Sequence, residues 1–244
     1  MGSVRYALVL VGTVVYSGQT PAARTTLEPM AILKAAAQRY SGLRSYHFVS
    51  TTEITPADGS QSKTMGQVFA GTPDGKTRYE MDTPFGRVVV VSDGKTEWTY
   101  FPATNEYVVS AAGSGPFPNL RQEFIRAYAE VDARLVRAEW LRVERLSLGG
   151  KSVTCDVIRV DERRGWPAVE DPKADRLWRA EWMNVPKTYW IDREKHRILR
   201  VAATSTKGGR QETTYSIARV DQDVPVELFG SPVPPGATKV EVPR

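Results

Sequence analysis

Residues 87–101, Arg-Val-Val-Val-Val-Ser-Asp-Gly-Lys-Thr-Glu-Trp-Thr-Tyr-Phe, contain the clearest fold signal of this chain. A run of β-branched residues leads into Asp93-Gly94, and beyond this pair Trp98 and Tyr100 alternate with polar residues. An Asp-Gly pair between two such runs predicts a β-hairpin, because glycine adopts a positive φ without steric cost. The stretch therefore predicts two antiparallel strands joined by a tight turn.

Comparable runs, separated by turn residues, continue on both sides of this hairpin. Further strands are predicted at 46–54, 65–70, 76–83, 106–110, 140–148, 153–161, 186–192, 197–204 and 211–220. Turn signals about every ten residues are typical of a meandering antiparallel sheet. The fold is therefore predicted to be mainly antiparallel β with α, as one sheet of about ten or eleven strands curled around helices.

Two segments have the period of a helix instead. The first has an apolar stripe made of Met30, Leu33, Ala37 and Tyr40, and Gly42 suits its end. The second is predicted at about 118–135, with an apolar face made of Leu120, Phe124, Ala127, Tyr128 and Val131. Because each helix has one apolar face, both are expected to lie against the sheet.

The first 23 residues have the pattern of a secretory signal peptide. Arg5 precedes the uncharged apolar run Tyr6–Tyr16, and small residues follow at 20–23. This run is short for a bilayer core of about 30 Å, so export with cleavage is favoured over an uncut anchor helix. Residues 24–244 are then expected to form one domain, with a charged, tryptophan-containing loop insertion at about 162–181.

Charge and motif patterns argue against several classes of function. The net charge of +5 comes from scattered residues, with no basic run of the kind that binds nucleic acid. The histidines, His47 and His196, lack metal-ligand spacing, and Cys155 lies in an alternating strand pattern that suits a small buried residue. No nucleophile elbow, phosphate-binding loop or dinucleotide fingerprint is present. We therefore predict no metal, no cofactor and no enzymatic activity.

A carboxylate hydrolase remains an alternative. Its acid–base pair would come from Glu80, Asp82, Asp93, Glu97, Glu170, Asp171 and Asp175. Most of these residues alternate with apolar ones or lie in turns, which is the pattern of a solvated face.

The aromatic side chains suggest a binding function instead. The chain has 6 Trp, 10 Tyr and 7 Phe, and many fall on predicted strand faces. Each alone is best interpreted as a core residue, but a curved sheet under a helix can leave an apolar cavity for acyl chains. The lining is predicted to comprise Phe48, Phe69, Tyr79, Met81, Val89, Val91, Trp98, Tyr100, Tyr189, Ile191, Tyr215 and Ile217, with Leu120, Phe124 and Tyr128 as a helical lid.

Residues 91–102 also resemble the LolA-like family of periplasmic lipoprotein carriers, in which a strand ends in Ser-Asp-Gly-Lys and the next carries Trp and Tyr. Similar features are Gly66–Phe69, Pro73, Arg78–Met81, Tyr189–Asp192 and the ending Pro234–Ala237, spread loosely over residues 28–240. The resemblance implies an incompletely closed barrel of about eleven strands, with helices across its concave face. It further implies a monomeric periplasmic carrier of lipoprotein acyl chains or lipids. Such a carrier takes cargo from inner-membrane release machinery and delivers it to an outer-membrane acceptor.

Two features depart from this family pattern. Thr72 stands where the carriers have an arginine before the proline matched by Pro73, and residues 162–181 are extra. Relatives of the same fold act as envelope sensors that bind a membrane protein. The alternative function is therefore a sensor or protein-interaction module without lipid transport, with Trp166 and Trp178 in its contact surface.

Overall fold

The computed structural model describes residues 28–60, 63–83, 86–117, 129, 131, 135–162 and 185–241. These residues form one α-helix, α1 (Pro29–Ser41), a short 3-10 helix (Val226–Phe229) and a sheet of 12 strands. The strands are β1 (Tyr46–Thr55), β2 (Lys63–Gly71), β3 (Thr77–Thr83), β4 (Gly86–Ser92), β5 (Thr96–Phe101), β6 (Glu106–Ala111), β7 (Leu135–Leu148), β8 (Lys151–Glu162), β9 (Lys187–Asp192), β10 (Ile198–Thr204), β11 (Arg210–Val220) and β12 (Thr238–Lys239).

The predicted mainly-β fold is confirmed. The sheet order is β12-β6-β5-β4-β3-β2-β1-β11-β10-β9-β8-β7, so two antiparallel meanders join where β1 pairs with β11. The added strand β12 runs parallel to β6 and brings the number above the predicted one. Strand β7 stands at one end of this order, yet it contacts both β11 and α1. The sheet is therefore strongly curled without a pairing between its two ends among the described strands.

Helix α1 forms where the sequence predicts it, and Gly42 occupies its C-cap position. Pro29 opens the helix, where the missing N–H costs nothing. Its buried face consists of Ile32, Leu33, Ala36, Ala37 and Tyr40. Met30, expected in the apolar stripe, is instead 46% exposed. No helix of the described residues is long and apolar enough to cross a membrane.

The predicted Asp93-Gly94 turn is confirmed. The Asp93 carboxylate accepts the N–H groups of Lys95 and Thr96 at 2.8 and 2.7 Å, and Gly94 has a φ of 94°. A Cβ at Gly94 would lie 2.9 Å from the carbonyl oxygen of Asp74, too close for any other residue. Glycine is therefore required here both by the turn and by the neighbouring β2–β3 turn.

Several predicted segments lie outside the described residues. They are the N-terminal residues 1–23, the lid residues Leu120, Phe124 and Tyr128, and almost the whole insertion at 162–181. Of the second predicted helix, Ala129, Val131 and Leu135 are described. Ala129 and Val131 pack against or belong to the main core, whereas Leu135 is the first residue of β7, so the predicted helix extends too far.

Candidate functional site

The inner face of the sheet, defined here as the face on which α1 packs, carries a row of aromatic side chains. Phe48 lies at its middle, with ring centroids 5.9 Å from Tyr40 of α1, 6.0 Å from Tyr46 and 5.9 Å from Tyr215. Phe69 and Tyr79 extend the row, 5.5 Å apart and edge to face. The Tyr46 and Tyr79 hydroxyls share a hydrogen bond of 3.0 Å, so the polar tips of the row are satisfied.

The centre of the inner face is closely packed under α1. The Tyr40 hydroxyl accepts the backbone N–H of Ile198 at 3.1 Å, which fixes the helix to β10. The predicted lining residues that lie on this face are Phe48, Phe69, Tyr79, Tyr189, Ile191 and Tyr215, all buried, with Met81 partly buried against them. Phe48 retains only 1% of its exposure, so the surface under α1 is filled by protein.

Four predicted lining residues belong to the opposite, outer face of the sheet. Tyr79 pairs with Val90, and Met81 pairs with Val88, so these valines, rather than Val89 and Val91, share the inner face. The reason is the two-residue connection between Thr83 and Gly86, which pairs odd-numbered with even-numbered residues. Assigning Val89, Val91, Trp98 and Tyr100 to the inner face was therefore wrong.

The C-terminal segment binds along this outer face. Arg78, which pairs with Val91, donates a hydrogen bond of 2.9 Å to the carbonyl oxygen of Leu228. The Tyr100 hydroxyl donates to Asn105, whose amide donates to the carbonyl oxygen of Gly236 at 3.1 Å. Val89 and Val91 are thus buried without belonging to the core cluster under α1.

A bulge also changes the position of one β11 residue. The register shifts between Val49 and Ser50, so that Ser50 pairs with Tyr215 and Val49 pairs with Ile217. The side chain of Ile217 is outside the described part of the structure. The sequence pattern predicts that Tyr215 and Ile217 share one face of the sheet. The bulge instead pairs them with the neighbouring residues Ser50 and Val49, which belong to opposite faces.

An open groove remains at one end of the inner face, and we call it the end groove. It has a volume of about 430 Å³, within the usual range for small-ligand pockets. Its apolar wall is formed by Leu148, Val153, Leu199, Tyr215 and Ala218. A second cavity of about 250 Å³, lined partly by Arg39 and Val220, shares Lys195, Arg197 and Gln222 with it.

The β7–β8 hairpin builds one side of the end groove. Residues 148–154 extend past the last β8–β9 pair, Cys155 with Asp192, and their tip reaches β11. Gly149 and Gly150 have φ values of 54° and 77°, which a two-residue hairpin turn requires. A Cβ at Gly149 would lie 3.8 Å from the carbonyl oxygen of Ser216. The hairpin therefore crosses the end of β9 and β10 to make the groove.

The β9–β10 turn builds the other side. Asp192 accepts the N–H groups of Glu194 and Lys195 at 3.0 and 3.1 Å and forms an ion pair of 2.7 Å with Arg197. Burial opposes the charged form of Asp192, but the hydrogen bonds from Arg197 and the turn lower its pKa below the ordinary value. Arg197 also donates to the carbonyl oxygen of Ala218 at 2.5 Å, so the turn is tied to β11.

Of the carboxylates named for a hydrolase, Glu80 and Asp93 are engaged structurally, whereas burial raises the pKa of Glu97, which accepts the N–H of Gly113. Burial alone would raise the pKa of Glu80, but hydrogen bonds from Arg87 and Arg78 lower it below its ordinary value. A catalytic acid of a carboxylate pair needs the opposite shift. Asp93 caps its turn, as described above, while Glu170, Asp171 and Asp175 lie outside the described residues.

The Cys155 thiol is buried and unpaired with any other cysteine of the chain. Burial, together with the nearby Asp192 and Asp156 carboxylates, raises the pKa of the Cys155 thiol to about 12, so it is protonated at neutral pH. This confirms the interpretation of Cys155 as a small buried residue. Across the described ranges, no group of three or more His, Cys, Asp or Glu side chains could hold a metal ion.

Comparisons with solved structures support the fold. LprF from Mycobacterium bovis matches with a TM-score of 0.53 and 17% identity, over 86% of this chain and 97% of that one. Lipoprotein LppX from Mycobacterium tuberculosis matches with a TM-score of 0.49 and 13% identity, over 80% and 96%. A LolA superfamily protein from Nitrosomonas europaea matches with a TM-score of 0.30 and 10% identity, over 83% and 97%.

These identities establish likeness of fold and nothing finer. No protein-family model matches the sequence, and no curated protein does. The match to LprF supports the overall fold, and proteins described as belonging to the LolA superfamily or as lipoprotein-sorting domains are among the structural neighbours. None of the three neighbours described above is named as an enzyme.

Proposed function

We propose that this protein is an exported carrier that binds acyl chains of lipids or lipoproteins and delivers them toward the outer membrane. The observation that carries the proposal is the end groove, an open space with an apolar wall on the inner face of a curled sheet. The LprF-like fold and the signal-peptide pattern of residues 1–23 support it. Inner-membrane release machinery and an outer-membrane acceptor are part of the same proposal.

The apolar wall has the chemistry that an acyl chain requires. Leu199, Tyr215 and Ala218 are buried in the floor, whereas Leu148 and Val153 are only partly covered. Each methylene moved from water to such a wall contributes about 0.8 kcal/mol, so even part of a chain binds usefully. Tyr215 contacts Phe48, which links the groove to the packed aromatic row.

A charge placed in the groove wall tests the proposal. Delipidated protein is titrated with a fluorescent fatty-acyl probe, comparing Leu148→Glu with Val143→Glu. Both residues lie on β7, but Val143 is 42% exposed and lies outside the groove. Leu148→Glu is expected to weaken binding at least about tenfold, because a carboxylate cannot lie against a hydrocarbon chain without losing hydration. Val143→Glu should bind like the unaltered protein.

Circular dichroism of both variants checks that they are folded before their binding is compared. Equal binding by the unaltered protein and Leu148→Glu would remove the end groove from the proposal. No probe uptake by any form, together with no lipid in mass spectra of protein purified from a bacterial periplasm, would overturn acyl-chain carriage altogether.

A protein-interaction module is the second candidate, favoured by strand β7. This strand stands at an end of the sheet, and it exposes Val136 at 62% and Val143 at 42%. An edge strand with exposed apolar residues can accept a strand from a partner. Copurification of a partner that is lost in Val136→Lys/Val143→Lys, with probe uptake unchanged, would favour this function over lipid carriage.

A further inference from the structure

We propose that the end groove selects amphiphiles with an anionic headgroup, specifically the phosphate of a membrane phospholipid. The inference rests on the proposed function, since it assigns the headgroup that accompanies the acyl chain. Three cations on the groove lining carry it, Lys151, Lys195 and Arg219. They come from the β7–β8 hairpin, the β9–β10 turn and β11, so three separate segments bring positive charge to one opening.

These three cations are available to a ligand. All three are exposed, and in the described part of the chain none of them forms an ion pair with a carboxylate. By contrast, the two other cations that line this groove or the second cavity are already paired with carboxylates. Arg197 binds Asp192 at 2.7 Å, and Arg39 binds Asp221 at 3.2 Å.

The charges around the opening leave a positive surplus. Glu194, an exposed turn residue, is the one carboxylate among the described lining residues of the two cavities. The carboxylates of Asp192 and Asp221 already form ion pairs with Arg197 and Arg39, respectively. Lys and Arg side chains bind phosphate oxygens through charge-assisted hydrogen bonds, which are stronger than neutral ones. A phosphate at this opening would therefore be held by groups that have no stronger internal partner.

The groove also places apolar and charged groups in the order that an amphiphile requires. Tyr215 and Ala218 lie in its floor, buried on the inner face. Arg219 pairs with His47 and so belongs to the outer face, and it is exposed where the groove opens beyond the last β10–β11 pair. On β8, the charged residue Lys151 is exposed, whereas the apolar residue Val153 is partly covered. A chain lying on the floor would thus bring its headgroup to the cations at the opening.

Displacement of the bound acyl probe by three lipids with the same acyl chain tests the inference. The lipids are a lysophosphatidylglycerol, a zwitterionic lysophosphatidylcholine and an uncharged monoacylglycerol. The unaltered protein is expected to prefer the anionic lipid about tenfold over the uncharged one at low salt, and less at high salt. The lysophosphatidylcholine should fall between them, because its phosphate is offset by its own cation.

Two triple variants separate local from overall charge. Lys151→Gln/Lys195→Gln/Arg219→Gln removes the groove cations, whereas Lys63→Gln/Lys95→Gln/Lys239→Gln removes three exposed lysines elsewhere. Only the first variant should lose the preference while keeping its affinity for the monoacylglycerol. Equal displacement by all three lipids, or a preference that survives in the first variant, overturns the headgroup inference and leaves acyl-chain carriage intact. Failure of every lipid to displace the probe would count against the carrier function itself.

Discussion

The centre of the inner face and the end groove belong to the same surface of one sheet, yet they differ in what covers them. At the centre, α1 lies directly on Phe48, and the aromatic row is buried among its own members. At the end groove, the tip of the β7–β8 hairpin reaches β11 and leaves about 430 Å³ open. This difference shows that aromatic residues on a strand face do not by themselves indicate a binding cavity.

The centre of the inner face and the end groove thus have different roles, the first in stability and the second in the proposed binding. Closely packed aromatic side chains at the centre contribute to stability through buried area and ring contacts. The groove has two partly exposed apolar residues, Leu148 and Val153, and a border of exposed cations, which suits a ligand with one apolar and one anionic part. Changes at the centre should therefore act on unfolding, and changes at the groove should act on binding.

The largest effect is expected from Phe48→Ala at the centre. Phe48 is 1% exposed and contacts the rings of Tyr40, Tyr46 and Tyr215, so truncation leaves a cavity that they cannot fill. The free energy of unfolding, measured in urea, should fall by about 3–5 kcal/mol. Val226→Ala, at a residue 65% exposed, is the control and should change it by less than about 0.5 kcal/mol. A similarly small change for Phe48→Ala would show that the centre is loosely packed.

A smaller effect is expected from Val91→Ala on the outer face. Val91 is fully buried where the C-terminal segment binds, and losing its methyl groups should cost about 2 kcal/mol of unfolding free energy. Binding of the acyl probe should not change, because Val91 faces away from α1 and the groove. Reduced probe affinity in a variant that remains folded would contradict this assignment of faces and restore Val91 to the lining.

The strands could be predicted from sequence because their signals are local. Alternation, β-branched residues and turns such as Asp93-Gly94 place these strands close to their observed bounds, except for β7, which begins five residues before its predicted start at 140. The faces could not be assigned in the same way. Val89 and Val91 were misplaced because the parity of the β3–β4 connection, and not the pattern within either strand, decides which residues share a face.

The end groove was still less accessible to prediction. It depends on the pairing of β1 with β11, which are distant in sequence, and on a hairpin that extends past its neighbour β9. Tyr215 was correctly placed on the inner face, but Leu148 and the cations Lys151 and Lys195 carry no local signal of a site. The glycine pair at 149–150 predicted the turn without indicating that it would reach β11.

The smallest effect is expected for Glu97, which lies on β5 at the β5–β6 end of the inner face. Its titration tests whether this end is as closely packed as the centre beneath α1. Glu97 is 6% exposed and accepts the N–H of Gly113 at 3.2 Å. Burial raises its pKa above the ordinary value of 4.5, although hydrogen bonds from Gly113 and Gly115 oppose this. The folded protein therefore holds this proton more tightly than the unfolded chain does.

It follows that the contribution of Glu97 to stability is fully present below about pH 4.5 and is lost as the pH rises through the raised value. Urea unfolding of the unaltered protein and of Glu97→Gln, compared from pH 4 to pH 8, should show a loss of stability with rising pH that the Gln variant lacks. Asp93→Asn serves as the contrasting variant, because backbone hydrogen bonds lower the pKa of that exposed carboxyl below 3.8, so its contribution should stay constant between pH 4 and pH 8 and be lost only at lower pH. Parallel pH profiles for the unaltered protein and Glu97→Gln would mean that water reaches Glu97, and that the inner face is open at both ends and closed only beneath α1.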